Sequence, residues 1–265
     1  MNRLQHLEDE SIKIIRSISQ ISRNPVQLWS TGKDSTLCLH LTMKALGRIP
    51  WPVVHIDTMR KPQEVYEFRD KMAIQYKVPL KVIKNEEALA LGIGPEKLSK
   101  FECCTQLKTN ALKQAIKDNK WDALILSIRE DEHYVRGMED IISLRDENGN
   151  WNWHGHFGGF GLMAPEQEGL SHIRIHPILS WKESEVWEYT MLHQLPVNPL
   201  YFSKDGRRYR SLGCACCTET VKSAAQTVYE IVNEVYMTPG LERSGRQQDK
   251  ENENTMLTLR SLGYM

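Results

Sequence analysis

Apolar side chains recur along this chain with two different spacings, which alternate through most of its length. Between residues 4 and 21 they recur every three or four positions, which predicts an amphipathic helix packed on the core. Short apolar runs typical of buried strands then alternate with stretches of helical period. The predicted strands are 26–29, 52–56, 80–83, 123–127 and 173–178, and the later helices are 36–46, 62–76, 106–119, 182–193 and 220–236.

Strands that alternate with helices in this way are typical of a parallel sheet covered on both faces. We therefore predict an α/β fold, a doubly wound parallel five-stranded sheet with helices on both faces. If the strand order is 3-2-1-4-5, a ligand would bind between the first and fourth strands, where the order reverses. Residues 1–24 would form an N-terminal helix, residues 25–195 the α/β domain, and residues 196–265 a helical and irregular C-terminal extension. The aperiodic Gly- and Trp-rich stretch 146–171 is expected to be a lid, a mobile segment or an ordinary surface loop.

The composition is that of a globular protein and restricts the partners it can have. The chain has 265 residues, of which 40% are hydrophobic, and 34 basic residues balance 34 acidic ones. This balance excludes a polybasic nucleic-acid coat, so an anionic ligand must be bound by a local cluster of basic side chains. No apolar run reaches the ~20 residues that cross a bilayer. The charged N-terminus does not resemble a signal peptide, so we expect a cytoplasmic protein without a membrane partner.

A phosphate-binding motif joins the first predicted strand to the following helix. Its residues are Ser30, Thr31, Gly32, Lys33, Asp34, Ser35 and Thr36. A tight turn with Gly that leads into a helix gathers free backbone N–H groups around one point, a geometry that binds phosphate. The hydroxyl groups add donors and Lys33 adds a positive charge. The motif is not a Walker A loop, which needs a second Gly earlier in the turn; the alternative is an ordinary capped strand–helix turn.

This motif resembles the PP-loop, S-x-G-K-D-S, of the adenine-nucleotide alpha-hydrolase superfamily. The resemblance implies an ATP pyrophosphatase whose loop holds the β,γ-pyrophosphate of ATP. Cleavage would fall between the α- and β-phosphates, so that AMP is transferred and pyrophosphate is released. The resemblance also implies that Asp34 helps to position Mg²⁺. Backbone amides, Lys33 and the metal would stabilise the charge that develops on the leaving pyrophosphate.

Further candidate residues follow other predicted strands, because a doubly wound sheet binds its ligand at the carboxyl ends of the strands. Arg129 and Arg136 follow the fourth strand, where a planar guanidinium can grip the α-phosphate or an oxyanion acceptor. The alternative for this segment is a solvated charged loop. Asp57 follows the second strand and is a candidate ribose or metal contact, whereas His55 is expected to be packed. The predicted catalytic set is Lys33, Ser35, Arg129 and Arg136.

Longer stretches resemble sulfate adenylyltransferase subunit 2, the catalytic small subunit of bacterial ATP sulfurylase, within the phosphosulfate reductase group. They are N-P-V-Q-L-W-S-T-G-K-D-S, H-I-D-T, V-Y-E-F-R-D, R-x-D-E, S-L-R-D, R-I-H-P-I-L-S-W, R-Y-R-S-L-G-C, E-R-S-G-R and L-G-Y-M. In relatives the tail around E-R-S-G-R folds back over the nucleotide, which makes Arg243 and Arg246 candidate ATP contacts. This resemblance implies sulfate as the acceptor and a GTPase as the partner subunit.

Five of the six cysteines lie in two tight groups, Cys103-Cys104 and Cys214-x-Cys216-Cys217. Nothing suggests export, so a disulfide framework is not expected. Cys103, Cys104, Cys214 and Cys217 resemble the ligand pattern of iron–sulfur phosphosulfate reductases, which implies a candidate [4Fe–4S] cluster. Reductase activity is not expected, because it needs a nucleophilic cysteine near the C-terminus and none follows Cys217. The alternatives are a persulfide-accepting thiol pair, inert buried thiols, and zinc, although adjacent cysteines are an unusual zinc hook.

A PP-loop protein with sulfur-handling cysteines also resembles the ATP pyrophosphatases of DNA phosphorothioate modification. That resemblance implies adenylation of a DNA backbone phosphate, with a cysteine desulfurase and DNA-modification proteins as partners. The basic strip 207–210 can meet DNA phosphates or close on ATP itself. DNA phosphate is therefore the first expected acceptor, and sulfate with a GTPase subunit is the alternative. The chain is also a candidate homo-oligomer, and a non-enzymatic ATP-sensing subunit is a third hypothesis.

Overall fold

The computed structural model describes residues 2–151, 169–238, 240, 242–247 and 255–262. Its helices are α1 (Arg3–Ile21), α2 (Lys33–Leu46), α3 (Gln63–Gln75), α4 (Glu86–Ala90), α5 (Lys100–Cys104), α6 (Ala111–Asn119), α7 (Glu183–Leu192), α8 (Val228–Met237) and α9 (Thr255–Ser261). Its strands are β1 (Pro25–Leu28), β2 (Val53–Ile56), β3 (Leu80–Ile83), β4 (Ala123–Ile125), β5 (Ile142–Asp146), β6 (Leu170–Ile175), β7 (Arg207–Arg208) and β8 (Val221–Lys222).

The main sheet has the order β3-β2-β1-β4-β6-β5. The first five strands of that order are parallel, so the predicted fold class is confirmed, and they have the 3-2-1-4-5 arrangement considered above. The predicted count of five strands is wrong, because β5 adds an antiparallel edge strand beside β6. Its polar residues Ser143 and Arg145 are buried, so the strand lacks the apolar pattern by which the others are recognised.

Helices cover both faces of the sheet. On one face α1 and α2 bury Leu7, Ile15, Ile18 and Leu37 against the strands, so α1 packs on the core as its spacing predicts. On the opposite face, apolar residues of β1, β2 and β4 pack on α6 and Trp121. The turn between β1 and α2 and the segment after β4 therefore lie side by side, where the strand order reverses.

The predicted helix at 220–236 is wrong over nearly half its length, from residue 220 to residue 227. Val221–Lys222 pairs instead with Arg207–Arg208 as the hairpin β7–β8, and α8 begins only at Val228. The reason is a capping box: the Thr227 side chain accepts the Glu230 N–H, and the Glu230 carboxylate accepts the Thr227 N–H.

The region before α6 also differs from its prediction, because α5 and a π-helical turn at Thr105–Asn110 precede the helix expected to start at residue 106. Residues 152–168 of the predicted loop stretch 146–171 lie outside the described residues. The predicted domain boundaries at residues 24 and 195 stay predictions. Within the described ranges, no helix has the length and apolar character that a bilayer span requires.

Candidate functional site

The turn between β1 and α2 combines a strained residue with a tightly packed glycine. Thr31 has a φ of 69°, in the left-handed region that β-branched residues rarely adopt. A Cβ on Gly32 would lie 3.2 Å from the Tyr201 hydroxyl oxygen and 3.4 Å from Ser30 Oγ. The Ser30 and Ser35 hydroxyl oxygens are 3.1 Å apart. The turn thus places two hydroxyl groups at the N-terminus of α2, where the helix dipole favours an anion.

The two cations of the site are buried in a network of carboxylates. Lys33 Nζ lies 3.0 Å from Asp34 Oδ2 and 2.5 Å from Glu242 Oε1. Arg129 donates from Nε to Asp34 Oδ1 at 2.8 Å, from Nη1 to Asp131 Oδ1 at 2.6 Å, and from Nη2 to Glu242. The Lys33 and Arg129 side chains are only 1% and 0% exposed. Segments far apart in sequence therefore share one charge cluster.

These contacts set the protonation of the cluster. Burial alone would lower the pKa of Lys33, but Asp34 and Glu242 outweigh it and hold that pKa well above its usual value. Burial opposes ionisation of Asp34 as well, yet Arg129 and Lys33 keep its pKa lowered. For Glu242, burial is the largest effect and raises the pKa to about 7. The charges of Glu183 and Asp34 also raise this pKa, whereas those of Lys33 and Arg129 lower it.

A cavity of about 240 Å³ lies beside this turn, at the carboxyl ends of β1, β2 and β4. Ile128 and five members of one hydrophobic cluster belong to its apolar lining, the cluster members being Leu28, Val54, Ile56, Leu112 and Leu126. Polar residues also line it, among them Ser30, Gly32, Asp34, Ser35, Glu132, Arg136, Glu242, Arg243 and Arg246. An apolar floor with a polar wall suits a heterocyclic base joined to anionic groups.

The structure places the predicted site residues differently with respect to the cavity. Eight of them line it: Ser30, Gly32, Asp34, Ser35, Arg136, Cys214, Arg243 and Arg246. Lys33 and Arg129 lie behind the Asp34 and Glu242 carboxylates and are not part of the lining. Thr31 and Thr36 are buried in the turn, where Thr36 Oγ1 accepts the Trp29 indole N–H at 3.2 Å.

Asp57 and its neighbour His55 organise the end of β2 and are not part of this lining. Asp57 Oδ1 accepts the Met59 N–H at 2.8 Å and the Tyr66 hydroxyl at 2.9 Å. A ribose or metal contact for Asp57 therefore stays a prediction. Burial lowers the pKa of His55 to about 2, so its neutral ring bonds the Trp29 carbonyl and Lys61 Nζ, each at 3.0 Å, and His55 is packed as expected.

Two residues of the site were not singled out from the sequence. The Tyr201 hydroxyl accepts the backbone N–H of Lys33 at 3.1 Å, and no sequence signal marks this tyrosine. Glu242 belongs to the stretch E-R-S-G-R, whose two arginines are the predicted phosphate contacts. Its acidic side chain gives no hint of a position beside a phosphate loop.

Cys214 lies in the cavity lining, and Cys103, Cys104 and Cys217 are close enough to interact with it electrostatically. Cys214 Sγ lies 3.2 Å from Thr58 Oγ1. Lys108, which also lines the cavity, donates to Cys104 Sγ at 3.6 Å. Cys103, Cys104, Cys214 and Cys217 are buried and Cys216 is exposed. The folded chain thus carries thiols and positive charges to the cavity that the phosphate-binding turn borders.

The environment distinguishes one of these thiols from its neighbours. Burial raises the pKa of Cys103 to about 11 and that of Cys217 to about 12. Burial also opposes ionisation of Cys214, but the Lys108 charge, the Thr58 hydrogen bond and further positive charges outweigh it and lower its pKa. Cys214 is therefore prepared to form a thiolate inside the cavity.

The candidate metal ligands differ in how well they fit their metals. Among the described residues, no group of three or more His, Cys, Asp or Glu side chains is arranged to hold a metal ion. As arranged, the four predicted cysteine ligands do not form a metal site, so the [4Fe–4S] cluster stays a prediction. A Mg²⁺ ion that accompanies a nucleotide needs only one or two carboxylates, because phosphates supply other ligands. Asp34, on the cavity wall, fits that requirement.

Comparison with known proteins identifies relatives over the whole chain. Residues 24–220 match the family described as phosphoadenosine phosphosulfate reductase domain. The chain is 35% identical to sulfate adenylyltransferase subunit 2 of Serratia proteamaculans, in an alignment that covers 100% of this chain and 98% of that protein. The same protein from Escherichia coli O9:H4 matches with the same identity and coverage.

Solved structures share the fold at lower identity. Phosphoadenylyl-sulfate reductase from Candida auris is 18% identical with a TM-score of 0.57, over 83% of this chain and 98% of that one. FMN adenylyltransferase from Candida glabrata, solved with FMN and an ATP analogue, is 15% identical with a TM-score of 0.56, over 82% and 64%. At such identities the likeness concerns the fold.

Proposed function

The chain belongs to the phosphoadenosine phosphosulfate reductase domain family of PP-loop nucleotide-processing enzymes, and from this premise we propose that it adenylates an oxyanion with ATP. The reaction cleaves ATP between its α- and β-phosphates and releases pyrophosphate. The observation that carries the proposal is the turn between β1 and α2, where hydroxyl groups and a helix N-terminus border a cavity with an apolar floor. The base would pack on that floor and the phosphates would meet the turn.

The residues around the turn would divide the work of the reaction. Ser30, Ser35 and the N-terminus of α2 would bind the β- and γ-phosphates. Lys33 would stabilise negative charge on the departing pyrophosphate. Arg136 lines the cavity and is oriented by Glu132 at 2.6 Å, so its guanidinium would hold the α-phosphate or the acceptor. A Mg²⁺ ion bound with ATP would neutralise part of the phosphate charge.

Sulfate is the acceptor that we propose first. The support is the 35% identity, over the whole chain, to proteins named sulfate adenylyltransferase subunit 2. That name also supports a partner subunit, for which the sequence resemblance suggests a GTPase. The relatives favour sulfate over DNA phosphate, which the cysteines alone had made the first expectation.

A second candidate function, sulfur incorporation into the adenylated oxyanion, rests on Cys214. This thiol lines the same cavity as Arg136 and has a lowered pKa, so a sulfur atom carried on it would lie near a bound acceptor. For this second candidate function the acceptor would be a DNA phosphate, and the sulfur donor would be a cysteine desulfurase.

Sulfate-dependent ATP–pyrophosphate exchange tests the choice between the two acceptors. The chain is purified together with its native partners and assayed with sulfate, with DNA and with neither, as wild type and as Cys214→Ser. We expect exchange that requires sulfate and survives the Cys214→Ser change. AMP release that requires DNA and is lost in Cys214→Ser would instead establish the second candidate. If no exchange occurs with sulfate or with DNA, and the protein does not bind ATP, adenylation is rejected.

A further inference from the structure

Glu242 lies beside Lys33 and Arg129 and contacts both of these cations. It lies in the 3₁₀ turn Glu242–Gly245 of the C-terminal tail. Oε1 accepts a hydrogen bond from Lys33 Nζ at 2.5 Å, and Oε2 accepts one from Arg129 Nη2. The Glu242 side chain is 4% exposed, so both ion pairs are shielded from bulk water.

The Glu242 carboxylate separates the two cations from the cavity. Glu242 and Asp34 line the cavity, whereas Lys33 and Arg129 do not. A phosphate in the cavity can therefore contact these two carboxylates, whereas Lys33 and Arg129 lie outside the lining. The repulsion between a phosphate and a buried carboxylate is strong because few water molecules screen it.

Charge and space both argue that this arrangement belongs to the nucleotide-free protein. Lys33 and Arg129 are both paired with the carboxylates of Asp34, Asp131 and Glu242, so neither of these two cations is available to a triphosphate in this arrangement. The cavity volume of about 240 Å³ is below the range of roughly 300–1,000 Å³ that is usual for ligand pockets. A movement of Glu242 would supply both the charge and the volume.

The far end of the turn is anchored separately. Glu219 N–H donates to the Gly245 carbonyl at 2.9 Å. The Arg246 guanidinium donates to Ser211 Oγ at 3.0 Å and lies so close to Gly213 that a Cβ there would be 1.7 Å from Nη1. The tail can therefore remain attached through Arg246 while Glu242 leaves the cations.

We propose that Glu242 is an internal phosphate mimic, which holds the C-terminal tail closed on Lys33 and Arg129 until the phosphates of ATP displace it. The inference rests on the proposed function, since it takes the turn between β1 and α2 to be the phosphate site. The competing role for this carboxylate is as a ligand of the Mg²⁺ that accompanies ATP. In that role Glu242 would strengthen nucleotide binding, whereas a mimic weakens it.

Calorimetric binding of ATP and of inorganic pyrophosphate, each with Mg²⁺ and with EDTA, separates these roles. The proteins are wild type, Glu242→Gln, Glu242→Asp and Glu234→Gln. The last is a matched control, because Glu234 pairs with Arg208 at 2.8 Å and lies outside the cavity lining. Thermal unfolding establishes whether each variant is folded. If Glu242→Gln does not fold, Glu242→Asp replaces it in the test, because it keeps the charge but shortens the side chain.

Glu242→Gln is expected to bind pyrophosphate and ATP at least about tenfold more tightly than wild type, with or without Mg²⁺. This is the gain expected if about nine in ten wild-type molecules are closed and the substitution opens them. The affinity of Glu242→Asp should lie between those of wild type and Glu242→Gln, and the affinity of Glu234→Gln should equal that of wild type. Unchanged or weaker binding by Glu242→Gln, while wild type binds, overturns the inference alone. Weakening confined to the Mg²⁺ arm overturns it in favour of the metal-ligand role. Failure of every protein to bind either ligand rejects the proposed function itself.

Discussion

The Tyr201 hydroxyl accepts a hydrogen bond from the backbone N–H of Lys33 at 3.1 Å, across 168 positions of sequence. Tyr201 is buried, and its ring packs edge-to-face on Trp187 with 5.1 Å between the ring centroids. The segment after α7 thus supports the phosphate-binding turn directly. It also fixes the direction of an amide at the N-terminus of α2.

Tyr201→Phe should lower the free energy of unfolding by about 1 kcal/mol, because the ring is kept while a buried N–H loses its acceptor. Urea denaturation followed by circular dichroism measures the change. Tyr229→Phe is the control, since Tyr229 is 63% exposed and its change should be near zero. Equal stability of the two variants would contradict the structural role of this hydrogen bond.

Arg129 and Arg136 should respond differently to alanine substitution. Arg129→Ala leaves Asp131 without its cation and leaves Lys33 as the remaining cation for Asp34 and Glu242, so it should destabilise the fold by about 3–5 kcal/mol. Arg136→Ala should cost about 1 kcal/mol of stability but reduce kcat/KM for ATP by about 100-fold or more, because its guanidinium lines the cavity. Urea denaturation and steady-state kinetics check the pair. The reverse order of stability losses would refute this assignment.

Thr31 should be a site where glycine is better than alanine. Thr31→Gly and Thr31→Ala both remove the buried side chain, but only glycine adopts a φ of 69° without strain. Thr31→Gly should therefore be more stable than Thr31→Ala by about 1 kcal/mol. The comparison uses urea midpoints of the two variants. An alanine variant that equals or exceeds the glycine variant would show that the turn stores no strain here.

Alkylation with iodoacetamide should single out Cys214 among the buried cysteines. Positive charges and Thr58 lower its pKa below the usual 9.0, so a thiolate exists at lower pH, and the reaction rate should rise with pH through a midpoint below 9. Burial raises the pKa of Cys38 to about 12, so Cys38 should stay unmodified. ATP should protect Cys214 because both use the same cavity. Peptide mass spectrometry follows each site, and a midpoint at or above 9 would count against the thiolate.

The fold was predictable where apolar spacing controls the structure, and unpredictable where polar residues are buried. The strands of the parallel part of the sheet carry apolar runs. In β5, Arg145 is fully buried because Glu139 pairs with it at 3.3 Å, and hydropathy cannot reveal such a partner. Strand β8 falls inside a stretch whose pattern predicts a helix, and β7 inside one that predicts irregular structure, because two-residue strands are too short to show an alternating pattern.

The candidate site was predictable where it is local and unpredictable where distant segments meet. The turn from Ser30 to Thr36 is one continuous motif, so its residues could be named from the sequence. Tyr201 and Glu242 reach the same turn only through the tertiary fold. Asp57 was named because it follows a strand, but its carboxylate binds the adjoining backbone and Tyr66, and it does not line the cavity.

The fate of the γ-phosphate tests the central claim, that this chain cleaves ATP between its α- and β-phosphates at the β1–α2 turn. The complex with its native partners is supplied with ATP labelled at the γ-phosphorus and with sulfate, as wild type, Lys33→Ala and the surface control Lys44→Ala. We predict that label appears in pyrophosphate, that Lys44→Ala matches wild type, and that Lys33→Ala is slower by about 100-fold or more. Label released as orthophosphate, or undiminished pyrophosphate release by Lys33→Ala, would contradict the claim.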